Sequence, residues 1–118
     1  GSYQPGPFTA VYYASKAYVL SFSQAIENEL KPYNIVVSTL CPGATKTEFC
    51  KVAGKGDLKS AMKASKVAEI AYKGLLKNQS IIIPGTLNKF SIFMSNIMPG
   101  KVLAKIVGKI QKKAILNK

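Results

Sequence analysis

The pattern of apolar positions near the start of the chain predicts one long helix followed by a strand. Apolar residues recur every three or four positions over residues 9–30, which is the period of an amphipathic helix. Pro32 and Asn34 end this pattern, because proline removes a backbone donor and asparagine favours turns. Residues 35–40 are apolar and rich in β-branched side chains, which predicts a short buried strand. A helix, a tight turn and a buried strand in this order indicate a βαβ unit in a parallel sheet.

The rest of the chain is predicted to alternate turns and loops with further helices and one more strand. Ser65 is the expected N-cap of the next long helix, and Glu69 lies in its first turns. In chain order the predicted elements are a turn at residues 41–45, a short helix over 45–50, a lysine-rich surface loop over 51–63, a helix over 65–77, a buried strand over 81–83 that ends at Pro84-Gly85, and two amphipathic helices divided by Pro99-Gly100.

The composition excludes several classes of site. The 118 residues contain no histidine, no tryptophan and two cysteines. Ser-His-Asp and Cys-His catalysis, zinc fingers and a disulfide framework are therefore excluded, and no metal site is expected. We expect Cys41 and Cys50 to be reduced, with Cys41 buried at a strand end. Any acid–base chemistry must use tyrosine, lysine or a carboxylate.

Positive charge is concentrated in the second part of the chain. The formal net charge is +12, and every basic side chain is a lysine. Residues 1–50 are electrically balanced, so the excess lies in residues 51–118. A basic module that binds nucleic acid or an anionic membrane through residues 51–118 is therefore an alternative function. The absence of arginine argues against nucleic acid as a partner, while an anionic membrane surface stays open.

Tyr12 and Lys16 are the first candidates for acid–base chemistry. They lie four residues apart on the predicted first helix and so share one face. A nearby ammonium favours the phenolate form of a phenol, and such a couple can give a proton to a carbonyl oxygen or take one from an alcohol. With 6 Tyr and 17 Lys in the chain, about one such pair is expected by chance. The spacing alone is therefore a weak motif.

Two motifs with a helix and a strand between them form a stronger pattern. Tyr12 begins a Tyr-x-x-x-Lys motif with an Ala-Ser-Lys ending, and Pro42 begins a Pro-Gly-x-x-x-Thr motif after the predicted strand. Over residues 3–49 this arrangement resembles the short-chain dehydrogenase/reductase family. The resemblance implies an α/β fold, namely the C-terminal half of a doubly wound parallel-sheet Rossmann fold followed by a C-terminal helical extension. Residues 1–85 would belong to the NAD(P)-binding catalytic domain and residues 86–118 to the basic extension.

The resemblance also implies roles for individual residues. Tyr12 would be the acid–base tyrosine, and Lys16 would favour its phenolate and hydrogen-bond the nicotinamide ribose. Tyr13 lies three residues before Lys16 and could compete with Tyr12, but the family's spacing is four. Tyr12 and Lys16 would therefore also bind the cofactor. The turn after the strand would hold the nicotinamide, its carboxamide and the adjacent phosphate region, through Pro42, Gly43, Ala44, Thr45 and Thr47.

Several features of the family are absent from these residues. The family's Gly-rich phosphate-binding turn does not occur, and Gly54-Lys55-Gly56 lacks the third glycine. The family's active-site serine would fall just before Gly1. We therefore expect the chain to be about half of a longer protein, inactive alone, that covers its apolar surfaces by self-association or with the missing N-terminal half.

The expected cofactor and partners follow from the same resemblance. The cofactor would be NAD or NADP, with NADP preferred. The substrate would be a small apolar molecule with a carbonyl or secondary alcohol group, and the protein would be a homo-oligomer. With neither a signal peptide nor a membrane span visible, we expect a cytoplasmic protein that can associate with membranes.

Overall fold

The first helix has the length that the apolar pattern predicts. The computed structural model describes residues 1–48, 52 and 61–116. Helix α1 spans Ala10–Leu30 and continues into a 3-10 turn at Lys31–Tyr33. Asn34 closes the turn in the left-handed conformation, with φ 57°, and its backbone N–H donates to the Lys31 carbonyl at 3.1 Å. The predicted end of the helix is thus confirmed, because asparagine tolerates this backbone conformation.

A parallel strand pair connected through a helix confirms the predicted parallel sheet. Strand β1, Thr39–Leu40, pairs in parallel with strand β4, Ile81–Ile82, with Thr39 opposite Ile81. Backbone hydrogen bonds extend the pairing on both sides, from Thr39 N–H to the Ser80 carbonyl and from Cys41 N–H to the Ile82 carbonyl, each 2.8 Å. Helix α2, Ala64–Leu76, lies between these strands in the chain.

Both predicted strands are shorter in the structure. Residues 35–38 precede β1, and Ile35 and Val36 are about half exposed. Among the described residues, β4 is the only strand that pairs with β1. Strand propensity depends on packing against neighbouring strands, so β-branched residues alone do not make residues 35–38 a strand.

A second parallel pair occupies the start of the short helix predicted from residue 45. Strand β2, Thr45–Lys46, pairs with strand β3, Met62–Lys63, and Met62 N–H donates to the Ala44 carbonyl at 2.9 Å. The backbone groups that a helix would use are engaged in this pairing, so the helix prediction is wrong at its start. Glu48 is helical, as predicted. The rest of that predicted helix after Glu48, and most of the predicted loop, lie outside the described residues.

Helix α2 starts one residue earlier than predicted and lies close to β4. Its N-cap is Lys63, without a side-chain cap, so the assignment of Ser65 as N-cap is wrong. Near the other end of α2, a methyl group on Gly74 would come within 2.6 Å of Ile82 Cδ1. Glycine at this position therefore permits the close approach of α2 to β4. Val67 on α2 and Ile82 on β4 are both buried.

Two further helices complete the chain, as the amphipathic pattern predicts. Helix α3 spans Thr86–Ile97, and helix α4 spans Gly100–Leu116. The Pro99 carbonyl accepts hydrogen bonds of 3.0 Å from the N–H groups of Val102 and Leu103, which starts α4 directly after the break. None of the helices in the described part of the chain is long and apolar enough to cross a bilayer.

The chain forms two compact units. Unit 1 comprises residues 1–22 and 90–118, and unit 2 comprises residues 23–89. In unit 1, the buried apolar residues described are Leu20, Leu103 and Val107. In unit 2 they are Val67, Ile82 and Pro84. The predicted division after residue 85 stays a prediction.

Candidate active site

Tyr12 and Lys16 lie together on one face of α1. The Lys16 ammonium is 5.5 Å from the centroid of the Tyr12 ring, within the range of a cation–π interaction. The Tyr12 side chain is 41% exposed. The helical spacing of four residues produces this proximity, because residues i and i+4 are neighbours on a helix surface. The pair therefore combines an accessible phenol with a nearby positive charge.

Tyr13 has different surroundings from Tyr12. Its hydroxyl accepts a hydrogen bond of 2.7 Å from the Gln111 side-chain amide, which comes from α4. Its ring covers the backbone of Gly6, where a methyl group would come within 1.9 Å of the ring. The two tyrosine rings meet edge to face, with centroids 5.6 Å apart. Tyr13 is thus a packing residue that links α1, α4 and the N-terminal loop.

A cavity beside Tyr13 lies between the N-terminal loop and α1. Its volume is about 400 Å³. Small side chains on one face of α1 leave the space open, and Tyr13 lines it whereas Tyr12 does not. Sequence reasoning did not locate this cavity, because the loop that closes it contains no recognised motif. The lining residues are Ser2, Tyr3, Gln4, Pro5, Gly6, Ala10, Tyr13, Ala14 and Ala17.

The predicted cofactor-binding turn directly follows β1. Pro42 and Gly43 come after the strand end, and the Thr45 hydroxyl donates to the Gly43 carbonyl at 3.1 Å. Thr45 itself lies in β2, and Thr47 follows that strand. In parallel α/β sheets, ligands bind outside the carboxyl ends of strands, which is the place that this turn occupies. Cys41, at the same strand end, is half-buried rather than fully buried as predicted, and Cys50 lies outside the described residues.

Asn88 supports this turn, although the sequence contains no signal for it. Its side-chain amide donates to the Cys41 carbonyl at 3.1 Å and to the Pro84 carbonyl at 3.4 Å. A methyl group on Gly43 would come within 3.2 Å of the Asn88 side chain. Asn88 thus joins the segments after β1 and β4, and Gly43 is small enough to let it do so.

The structure places the predicted site residues in both units. Tyr12 and Lys16 belong to unit 1, and residues 42–47 belong to unit 2. In the part of the chain that the structure describes, no three His, Cys, Asp or Glu side chains gather in a metal-binding arrangement.

Comparisons with known proteins match the same region. The family model for short chain dehydrogenases matches residues 1–58, which include both groups of candidate residues. 11-beta-hydroxysteroid dehydrogenase-like 3 of Arabidopsis thaliana is 27% identical over 99 residues, covering 80% of this chain and 32% of that protein. 17-beta-hydroxysteroid dehydrogenase type 3 of Homo sapiens is 38% identical over 47 residues, covering 40% of this chain and 15% of that protein.

A solved structure has a similar fold. The short-chain dehydrogenase from Sphingobium yanoikuyae, in complex with NADPH, superposes with a TM-score of 0.66 at 26% identity, covering 83% of this chain and 42% of that chain. The present chain thus spans less than half the length of each of these relatives. The fold prediction is confirmed: the parallel strands and helices match a Rossmann-type fold. The chain is thus similar in sequence and in fold to proteins of the short-chain dehydrogenase/reductase family.

Proposed function

We propose that this chain is part of an NAD(P)-dependent oxidoreductase that interconverts a carbonyl and a secondary alcohol. One observation carries the proposal: the Lys16 ammonium lies 5.5 Å from the ring centroid of an accessible Tyr12. The neighbouring phenol, Tyr13, holds Gln111 instead. Of the two adjacent tyrosines, Tyr12 is therefore the one suited to exchange a proton with a substrate.

Tyr12 and Lys16 have complementary tasks in this reaction. The Tyr12 hydroxyl donates its proton to the carbonyl oxygen during reduction and accepts a proton from the alcohol during oxidation. The Lys16 ammonium stabilises the negative charge left on the phenolate oxygen. The bound nicotinamide supplies or accepts the hydride. Lys16 is also the residue that would hydrogen-bond the nicotinamide ribose.

The turn over residues 42–47 fits a role in holding the nicotinamide. Gly43 has no side chain, so its backbone is accessible to a ligand. The Asn88 side-chain amide stabilises the turn by donating a hydrogen bond to the Cys41 carbonyl. Pro42 and Ala44 add no competing polar side chain, while the hydroxyls of Thr45 and Thr47 are suitable for the carboxamide and phosphate region. NADP is the preferred cofactor over NAD, which is consistent with the NADPH bound to the Sphingobium relative.

The substrate class follows from the names of the relatives. Two relatives are named as hydroxysteroid dehydrogenases. We therefore assign a small apolar carbonyl or alcohol as substrate. The family's Gly-rich turn is not among these 118 residues, so the chain by itself is expected to be inactive.

The decisive experiment compares the two adjacent tyrosines in the full-length protein that carries this chain. Tyr12→Phe removes the proton donor, and carbonyl reduction with NADPH should fall by about 10²–10⁴-fold in kcat. Tyr13→Phe removes the same atom one residue away and is the matched control, since its hydroxyl only holds Gln111. Normal reduction by the Tyr12→Phe protein would overturn the proposal, as would an equal loss in both variants.

A further inference from the structure

Helix α4 has one face that packs on unit 1. Leu103 and Val107, four residues apart, are the buried residues of the helix. Further along the same face, a methyl group on Gly108 would meet the Pro7 ring at 3.4 Å, and Gln111 donates to the Tyr13 hydroxyl. These contacts fix which side of α4 faces the protein. The helix thus packs on the rest of unit 1.

A second apolar row on α4 is exposed. Val102, Ile106 and Ile110 recur every four residues and so form one row along the helix surface. Their exposed fractions are 45%, 42% and 62%. The packed face of the helix accounts for Leu103 and Val107 but does not cover this row. We call these three residues the exposed row.

Lysines border the exposed row and are not balanced by acidic residues. Lys101, Lys105 and Lys109 each immediately precede one member of the row, and all three are exposed. Lys112 and Lys113 extend the positive charge toward the end of the helix and are also exposed. No Asp or Glu follows Glu69 in the sequence, so nothing on α3 or α4 neutralises this charge.

The chemistry of this surface favours an anionic bilayer over a protein or a nucleic acid. Protein–protein interfaces are depleted of lysine and enriched in arginine and aromatic residues, which is the reverse of the composition here. Two copies of α4 meeting through the exposed row would also bring their lysines together. Nucleic-acid recognition favours arginine, which the chain lacks, and does not use a row of aliphatic side chains.

We propose that α4 docks on an anionic lipid surface. The exposed row enters the boundary between headgroups and acyl chains, and the neighbouring lysines reach the lipid phosphates through their flexible stems. A helix of 17 residues is about 25 Å long, so α4 lies along the interface. This proposal goes beyond the oxidoreductase function and does not depend on it.

Vesicle flotation with the full 118-residue chain tests the proposal, because protein aggregates do not float with lipid. The vesicles are phosphatidylcholine with or without phosphatidylserine. We expect binding only to the phosphatidylserine vesicles, weakened when ionic strength rises from about 0.1 M to about 1 M and the Debye length falls from about 10 to about 3 Å. Binding to neither vesicle, or equally to both, would contradict the proposal, as would preferential binding to duplex DNA added as competitor.

Two sets of variants locate the binding surface. The first is a triple variant that carries Lys101→Gln, Lys105→Gln and Lys109→Gln. It should bind phosphatidylserine vesicles more weakly, by about fivefold for each lysine removed. The matched control, Lys31→Gln with Lys63→Gln and Lys77→Gln, makes the same change in net charge on unit 2 and should bind normally. An equal loss in both triple variants would show that only net charge matters and would overturn the assignment to α4.

The apolar part of the surface is tested in the same way. Ile106→Gln with Ile110→Gln should reduce binding at least tenfold, because about 0.8 kcal/mol per buried methylene group corresponds to roughly fourfold in affinity. Val11→Gln with Leu76→Gln replaces exposed apolar residues on other helices and should have little effect. Far-UV circular dichroism checks that each variant keeps its helices. Unchanged vesicle binding by the folded Ile106/Ile110 variant would refute an inserted row.

Discussion

Tyr12 and Tyr13 are chemically identical neighbours whose surroundings give them different capacities. Tyr12 has an ammonium beside its ring and an accessible side chain. Tyr13 covers the Gly6 backbone and accepts a hydrogen bond from Gln111. The spacing of four residues selects Tyr12 from the sequence, because a helix brings i and i+4 together. Only the contact with α4 shows what Tyr13 does instead.

Glu69 forms ion pairs with two lysines on α2. Hydrogen bonds from Lys73 at 2.6 Å and Lys66 at 3.1 Å, together with their charges, lower the pKa of the Glu69 carboxyl from its ordinary value of 4.5. A carboxyl whose pKa is lower in the folded state stabilises that state above the unfolded pKa. This contribution is lost as the pH falls through the folded value. All three side chains are exposed, so the effect on stability is small and sensitive to salt.

An NMR pH titration of the Glu69 carboxylate should show this directly. We expect a pKa below 4.5 at low salt, and a rise toward 4.5 in the Lys73→Met variant, which removes the largest cause. Lys77→Met is the matched control, because Lys77 makes no such pair with Glu69 in the structure, and it should leave the titration unchanged. A titration midpoint at 4.5 in the unsubstituted chain would contradict the geometry of the two ion pairs.

At the scale of elements, the close approach of α2 to β4 depends on Gly74. Without a side chain at this position, Ile82 lies directly against the helix backbone and is 4% exposed. Burying an isoleucine side chain of this kind stabilises a fold by about 1.5–3 kcal/mol. Glycine has a lower helix propensity than alanine by about 1 kcal/mol, and the burial of Ile82 offsets this cost.

Replacing Gly74 with alanine should therefore destabilise unit 2 despite the better helix propensity. The added methyl would lie 2.6 Å from Ile82 Cδ1, and overpacking of this kind costs about 1–3 kcal/mol in the free energy of unfolding. Urea unfolding followed by circular dichroism measures the change. Ile82→Ala removes both Cδ1 and Cγ1, which the added methyl would meet at 2.6 and 2.7 Å, so the double variant should be less destabilised than the sum of the two single variants predicts.

Gly100→Ala is the matched control for this prediction. A methyl group at Gly100 would meet no atom within 4 Å, so the substitution should be neutral or slightly stabilising. Equal effects at positions 74 and 100 would show that helix propensity, not contact with Ile82, governs both.

On the scale of the whole molecule, the chain leaves much apolar surface uncovered. On α1, Val11 is 85% exposed and Tyr18 is 70% exposed. In the described part of the chain the strands form two separate two-stranded sheets, and such small sheets are marginal on their own. The relatives are each more than twice as long as the region they share with this chain. These observations favour an assembly in which further protein surface covers α1 and the strands.

We therefore predict that the isolated 118-residue chain self-associates and does not bind NADPH saturably. Size-exclusion chromatography with light scattering should report a mass well above the 12.7 kDa of one chain. A fluorescence titration should show no saturable NADPH signal, because the family's phosphate-binding turn is absent from these residues. A stable monomer would contradict the first part of the prediction, and micromolar NADPH binding would contradict the second.

Features that depend on local backbone geometry can be predicted from the order of the amino acids alone. Spacing and turn residues predict four such features. They are the limits of α1, the shared face of Tyr12 and Lys16, the turn at Pro42 and Gly43, and the break between α3 and α4. These features need contacts over only a few residues, so periodicity and propensity are enough to specify them.

Features that join distant parts of the chain depend on how the whole chain packs and become visible in the fold. Gln111 reaches Tyr13 across 98 positions, and Asn88 reaches the Cys41 carbonyl across 47. The β2–β3 pairing likewise places Thr45 and Lys46, the start of a locally plausible helix, in a strand that is hydrogen-bonded to another segment. A strand or a side-chain amide acquires its role from the partner that it meets, and packing of the whole chain selects that partner.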